Sequence, residues 1–277
     1  SKAQYGFRRG RGTRDCLALL ATNVQIAFNR KEELAAVFLD VAGAYDSVII
    51  DKLCSKLYSI GVPTFLSNFL LNLLSKKKMT FYLNNVAKIS RDSYFGLPQG
   101  SCLSPFLFNI YTNNMDNCIA DECYLIQYAD DSVIWVAGKD RIVIQSSLQQ
   151  SINNLVIWGD SHGFSYSNEK QELMVFSRKR SPANLKVFLY GSEVKLVHET
   201  KYLGIWYDSK MTWKTHINYL LKKMPKTCKF FENHYGYLVG CSPQASVDTI
   251  QDYNPICVRI RQLCIRSSGK DSRAEVM

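Results

Sequence analysis

No stretch of this chain approaches the roughly 20 apolar residues that a membrane-spanning helix needs. Its longest apolar runs are strand-length, so no membrane partner is expected. The opening residues, SKAQYGFRRGRGT, lack the apolar core of a secretory signal. They start abruptly, as the cut edge of something longer would. Nine cysteines stand singly between Cys16 and Cys264, none in a C-x-x-C pair. The closest two, Cys118 and Cys123, have no second pair to answer them, and no histidine spacing completes a zinc site. The cysteines therefore read as reduced thiols of an intracellular protein. Internal repeats and low-complexity tracts are also missing.

What the chain does have is enough apolar material for a core: 277 residues, 47% hydrophobic and 12% aromatic. That length suits one large or two modest domains. The formal net charge is +10, unevenly placed. Residues 170–230 hold 13 Lys or Arg against 4 Asp or Glu, and the rest of the chain is nearly neutral. Such a basic segment suits a polyanion, nucleic acid first. A solvated lysine-rich face accounts for the charge equally well.

Apolar spacing predicts a helix over 13–29, with Leu17, Leu20, Val24 and Phe28 on one stripe. The segment LAAVFLDV (34–41) reads as a short strand ending in an acid. Residues 51–60 read as a helix, and a second helix follows Pro63 as a first-turn residue. Two runs flanking an Asn-Asn turn near residue 84 suggest a hairpin. SPFLFNIYTNNM reads as an apolar helix with Ser104 as N-cap. A strand pair surrounds Asp130 and Asp131, and a long helix covers 140–162. ELMVFS, LKVFLY, EVKLV and KYLGIWY read as four short strands. Lys-rich helical patterns run from Trp213 to about residue 237, and SSGKDSRAEVM reads as a polar tail. Interleaved helices, strands and hairpins predict an α+β fold, an antiparallel sheet covered on one face by helices.

Three segments carry chemistry. In YLIQYADDSVIWV, two adjacent acids, Asp130 and Asp131, interrupt an otherwise buried pattern. Buried unpaired carboxylates are costly and repel each other, so the pair is expected at a hairpin tip between strands 123–129 and 133–137. An ordinary acidic turn explains it too, although the tip contains no glycine. In FLDVAGAYDSV, Asp40 ends an apolar strand, with Tyr45 and Asp46 close behind. If the two strands are neighbours, three carboxylates gather at one sheet end. Such a cluster suits divalent cations, and two of them suit phosphoryl transfer. In YFGLPQGSCLSPF, Gly96, Pro98 and Gly100 make a stiff loop with bare backbone before a helix, and Gln99 is its polar group. Taken alone, that loop is an ordinary strand-to-helix turn.

In this order, these segments resemble the reverse transcriptases of non-LTR (LINE-like) retrotransposons. YADD resembles the catalytic hairpin, and FLDVAGAYDSV resembles the palm motif D-x-x-x-A-[FY]-D-x-V. GLPQGSCLSPFLFNIYTNNM is similar to the nucleotide- and template-contacting motif, and QYGFRRGRGTRD to the fingers segment Q-x-G-F-R. WGDSHGFSYSNEKQELMVFSRK resembles the helix–turn–Lys–strand motif, and KYLGIWYDSKMTW the primer-gripping hairpin. Together they cover roughly residues 4–215, and several motifs in one order are specific where each alone is not.

The resemblance implies a right-hand polymerase: partial fingers and palm over residues 1–210, then a helical thumb and truncated tail over 211–277. The activity implied is RNA-directed DNA polymerisation, with RNA template, DNA primer and dNTP as partners and the element's own RNA as template. It implies two Mg²⁺ ions, with Mn²⁺ as a substitute. Asp40 and Asp130 would be metal ligands, Asp131 a third acid, and the carbonyl of Val41 would complete one shell. Tyr45 would be the steric gate against a ribose 2′-OH, while Asp46 reads as structural, capping the next turn. Pro98, Gln99 and Gly100 would meet nucleotide and template. Lys170 would protonate or orient pyrophosphate, with a plain surface lysine as its other reading. Arg8 and Arg11 would touch template phosphates. Tyr128, Tyr202, Leu203 and Gly204 would contact nucleic acid, the last three on the primer. Lysines over 214–229 would grip duplex. Nuclear action and cytoplasmic ribonucleoprotein assembly are implied by the same family.

The fingers segment that precedes Q-x-G-F-R in the family has no counterpart in this sequence, nor has an endonuclease or an RNase H motif. The alternative reading is therefore a truncated, inactive remnant that only binds nucleic acid. A two-metal nuclease on another fold would also cluster acids, but it leaves GLPQGSCLSP and Tyr45 unexplained.

Overall fold

The computed structural model describes residues 1–83, 87–180, 182 and 184–223. They divide into two compact units, Ser1–Ile205 and a second beginning at Trp206. The first unit opens with helix α1 (Thr13–Asn29), on which Leu17, Leu20, Val24 and Phe28 are buried as their spacing predicts. Asp15 reaches back to accept from the Gly12 N–H at 2.7 Å, closing the helix start. Strand β1 (Glu33–Ala42) comes next and is buried along nearly its whole length. Helices α2 (Ile50–Ser59) and α3 (Thr64–Ser75) lead into the ribbon β2 (Lys77–Leu83) and β3 (Ala87–Ser93). Then come helix α4 (Ser104–Tyr111), the hairpin β4 (Tyr124–Tyr128) and β5 (Asp131–Gly138), and helix α5 (Arg141–His162). Asp140 caps α5 by accepting from Ile142 N, and Gly163 ends it in the left-handed region. The short strands are β6 (Ser165–Tyr166), β7 (Glu172–Phe176), β8 (Phe188–Leu189), β9 (Ser192–Glu193), β10 (Lys195–Val197), β11 (Glu199–Tyr202) and β12 (Ile205–Asp208).

The main sheet runs β10–β7–β1–β5–β4, with β6 also paired to β1. Its pairs are antiparallel except β10 with β7. Alternation along β1 sends Ala35, Val37, Leu39 and Val41 into a core shared with Leu53 and Leu57 of α2, Phe108 of α4 and Leu148 and Ile152 of α5. Each buried Val, Leu, Ile or Phe side chain among these stabilises by about 1.5–3 kcal/mol. Because α1 packs on β1 and β4, β1 is a central, fully covered strand. Its register is therefore strongly specified, since a slip of one residue would turn the apolar set over.

Several local expectations change. Asp131 already belongs to β5, so the hairpin turn is Ala129 and Asp130. Ser104 lies inside α4 rather than capping it. Leu103 is the N-cap, and the Ser104 hydroxyl instead donates to Pro98 O at 2.6 Å. Pro63 occupies the N-cap position of α3, one residue before the first turn. EVKLV divides at Val194, whose N–H turns aside to Val187 O at 2.8 Å. LKVFLY contracts to β8. The Lys-rich pattern is helical over 214–223. Its extension to residue 237 and the polar tail lie outside the described residues.

Candidate active site

The β1–β5 register sets Asp40 directly opposite Asp131. Direct cross-strand partners lie about 5 Å apart at Cβ, and like charges there repel. The carboxyl of Asp131 is pushed up to about 6, first by burial, then by the charges of Asp130 and Asp40. Only the Lys170 ammonium opposes that rise. It sits 3.0 Å from Asp40 Oδ2. The Lys170 side chain is 67% exposed and that of Asp40 33%, so the pair is screened by water and weakly bound. Asp130 itself is exposed on the turn.

Asp40 is held from behind. Gln171, buried beside Lys170, accepts from Asp40 N at 3.1 Å and donates to Asp40 O at 3.0 Å. One side-chain amide thus takes the place of a neighbouring strand at this point of β1. Asp40, Asp131 and Lys170 line a cleft together with Glu172, Thr200 and Tyr202. Thr200 donates to Glu172 at 2.5 Å, and the Tyr202 ring tilts against Phe38 at 5.5 Å. Neither Asp130 nor Tyr128 is part of that lining, although Tyr128 pairs in register with Asp131. Leu203 and Gly204 have positive φ, 45° and 87°, and turn the chain after β11.

Tyr45 approaches the acids from the turn after β1. Its ring stacks on Phe108 at 4.8 Å, and burial together with the Asp130 charge raises its hydroxyl pKa. The Tyr45 carbonyl accepts from Leu97 N at 2.7 Å, and that of Val48 from Gly96 N at 2.9 Å. Gly96 has φ +77° and lies so close to Asp46 that a Cβ would stand 2.6 Å from its Cα. Glycine is required there twice over, by conformation and by contact. Pro98, Gln99 and Gly100 are exposed beyond it, and Gln99 Nε2 reaches Asp46 Oδ2 at 3.4 Å.

With this geometry in view, residues 1–207 match the family "Reverse transcriptase (RNA-dependent DNA polymerase)". The chain belongs to the reverse transcriptase family. Its relatives include the "Probable RNA-directed DNA polymerase from transposon BS" of Drosophila melanogaster, 29% identical over 77% of this chain and 24% of that protein. The "RNA-directed DNA polymerase from mobile element jockey" of the same species is 28% identical over 78% of this chain and 24% of its own length. The chain thus spans about a quarter of these relatives. Telomerase from Candida tropicalis shares the fold, with TM-score 0.53 and 11% identity over 77% of this chain and 40% of that one. The resemblance read from the motifs holds at the level of a reverse transcriptase domain.

In this chain, no three Asp, Glu, His or Cys side chains among the described residues converge closely enough to hold a metal ion. The donor chemistry fits a divalent cation nonetheless. Two hard carboxylates face each other across β1 and β5, and Asp131 is held above the ordinary carboxylate range first by burial and then by the Asp130 and Asp40 charges, the part that a cation would relieve. Val41 pairs with Tyr166 of β6, one residue past Asp40. The guanidinium of Arg8 donates to the carbonyls of Ser1 and Gln4, at 2.5 and 3.3 Å. That of Arg11 donates to Lys2 and Gln4 at 2.6 and 3.1 Å and lies over the Tyr5 ring. Both arginines brace the N-terminal segment. Lys214, Lys222 and Lys223 are exposed in the second unit, while Lys226 and Lys229 lie outside the described residues.

Motif reading missed Gln171 and under-read Gln4. The one signal for Gln171 was a neutral amide between Lys170 and an apolar strand, a residue type as common on exposed surfaces as in sites. No helix among the described residues is long and apolar enough to cross a membrane. The five cysteines described, Cys16, Cys54, Cys102, Cys118 and Cys123, are free thiols. Burial pushes Cys16 up to about 12, which makes it unreactive.

Proposed function

We propose that this chain is the reverse transcriptase domain of a non-LTR (LINE-like) retrotransposon and catalyses RNA-directed DNA synthesis. The observation that carries the reading is the facing pair Asp40 and Asp131, with Lys170 on the first, in a cleft shared with Tyr202. In the reaction the primer 3′-oxygen forms a bond to the α-phosphorus of a dNTP, and the bond to the bridging oxygen of pyrophosphate breaks. Two Mg²⁺ ions, or Mn²⁺, would be held by Asp40, Asp130, Asp131 and the Val41 carbonyl, and would supply charge neutralisation and a more acidic primer hydroxyl.

The chain's own groups do the rest. Lys170 Nζ is an ammonium placed beside the acids, able to orient the leaving pyrophosphate and give it a proton. Tyr45, fixed by its stack on Phe108, fills the space of a ribose 2′-OH. Pro98, Gln99 and Gly100 present exposed backbone and one amide to nucleotide and template. Tyr202, Leu203 and Gly204 meet the primer, and Tyr128 contacts nucleic acid. Arg8 and Arg11 meet template phosphates, and the lysines over 214–223 meet duplex without sequence preference. RNA template and DNA primer are the partners, with the element's own RNA as natural template. The sites of action are the nucleus and a cytoplasmic ribonucleoprotein. Fingers and palm occupy residues 1–210, and the thumb begins at Met211.

A second reading, nucleic-acid binding without catalysis, is favoured by one observation: no three metal-holding groups converge among the described residues. Primer extension separates the two. Purified chain is given an RNA template, an annealed DNA primer, dNTPs and Mg²⁺, beside an Asp130→Asn control. Extension that disappears in the control is the expected result. Absence of extension with duplex binding retained would leave only the binding reading.

A further inference from the structure

The turn that carries Asp130 contains a backbone anomaly. Ala129 has φ +58°, in the left-handed region that a Cβ disfavours. Two-residue hairpin turns usually meet that demand with Asn or Gly, and this one has Ala-Asp. The conformation must therefore be imposed from outside the turn.

The imposing group is Gln4, a buried polar side chain at 2% exposure. Its Oε1 accepts from Ala129 N at 3.1 Å, and its Nε2 donates to Ala129 O at 3.4 Å. One amide spans both polar backbone groups of the strained residue. The same Oε1 accepts from Gly6 N at 2.8 Å, so the side chain cannot swing away freely. The strand edge beside it is locked as well. Tyr5 N donates to Gln127 O at 2.8 Å, and Gln127 N to Ala3 O at 2.9 Å. At Gly6 a Cβ would stand 2.5 Å from Ala129 N, so only glycine permits the approach. Asn109 of α4 then ties the Gly6 carbonyl at 2.8 Å. Arg8 and Arg11 both donate to the Gln4 carbonyl. The two Gln4 amide bonds fall on the residue preceding Asp130, and the other contacts hold the segment that carries Gln4.

We infer that Gln4 is a positioning residue for the polymerase reaction: it holds Ala129 left-handed and thereby sets where Asp130 and Asp131 stand relative to Asp40. Gln4 acts through the turn and need not touch substrate. The inference rests on the polymerase reading of the acids. The chemistry demands an amide of this length. Glutamate would set an acceptor against the Ala129 carbonyl, and asparagine is one carbon too short.

The test is a double-variant cycle in the full chain, read by steady-state primer extension. Gln4→Met should lower kcat at least tenfold and leave KM for dNTP within about twofold. Against an Ala129→Gly background, where glycine adopts the turn unaided, the same Gln4→Met change should cost less than about threefold. An equal loss in both backgrounds would overturn the inference, since Gln4 would then act elsewhere than on the turn. A rise in KM with kcat unchanged would overturn it too. Hydrogen exchange at the Ala129 amide supplies a readout free of catalysis and of the polymerase reading. Protection should fall at least tenfold in Gln4→Met while amides of β1 keep theirs. Unchanged protection sinks the clamp whether or not the wild type extends primers. A wild type that fails to extend, with Ala129 protected by Gln4, would instead sink the polymerase reading alone.

Discussion

The loop Gly96–Gly100 and the turn Ala129–Asp130 both drive the backbone into the left-handed region, and only the first does so with glycine. Gly96 and Gly100 take φ +77° and +87° on their own account, whereas Ala129 takes +58° under the grip of Gln4. The second unit repeats the latter device. Met211 and Trp213 have φ +53° and +63°, and the buried Asp208 carboxylate accepts from the N–H groups of Lys210, Thr212 and Trp213 at 3.1, 2.9 and 2.7 Å. A glycine turn carries its conformation in its own residues. A clamped turn borrows it from a side chain elsewhere, and so becomes sensitive to that side chain. For the turn that holds Asp130, this sensitivity couples the N-terminal segment to the acids.

The comparison breaks most sharply at Gly96. Gly96→Ala adds left-handed strain to a collision with Asp46 backbone, which should cost about 4 kcal/mol. Chemical denaturation measures that loss, and primer extension should fall with it. Asp208→Ala comes next, at about 3 kcal/mol, because it strips three backbone donors of their common acceptor, a buried carboxylate. If that variant melts like the wild type, the clamp in the second unit is idle. Gly100→Ala should cost only about 1 kcal/mol, since nothing lies within 4 Å of the added Cβ and left-handed strain is the sole penalty. A cost as large as that of Gly96→Ala would mean the loop is packed from both sides.

The smallest expected effect is a pH dependence in the second unit. Burial lowers the His216 pKa below its ordinary value. The neutral ring accepts from Trp206 N at 3.4 Å. A depressed histidine contributes stability that is present above the unfolded value near 6.5 and is lost as pH falls. Between about pH 8 and pH 5 the melting midpoint should therefore drop further in the wild type than in His216→Gln. Parallel curves would show that the ring titrates alike in the folded and unfolded chain.

Much of the first unit was legible in the residues. The stripe of α1, the apolar β1 and the long α5 follow from periodicity, because burial of one face decides them. The short strands after β7 were legible only roughly, since two- and three-residue pairings depend on what lies opposite. Ser104 shows a different failure. A serine before a proline has the composition of an N-cap, but the hydroxyl found Pro98 O and the helix began earlier. Among site residues, the motif acids and Tyr45 stood out because each departs from its surroundings, an acid in an apolar run or a ring after an acid. Gln4 and Gln171 did not, because an amide looks ordinary until its partners are known.

The residue order alone determined that β1 and β5 are buried strands, that each carries an acid near one end, and that a Gly- and Pro-bearing loop precedes the α4 helix. Tertiary structure alone decided that Asp40 faces Asp131, that Lys170 comes to rest on Asp40, and that two glutamines hold the backbone on either side. The physical reason is range. Propensity and periodicity act over a few residues. Asp40 and Lys170 are 130 residues apart and Gln4 and Ala129 are 125, so only the closed sheet brings them within hydrogen-bond reach.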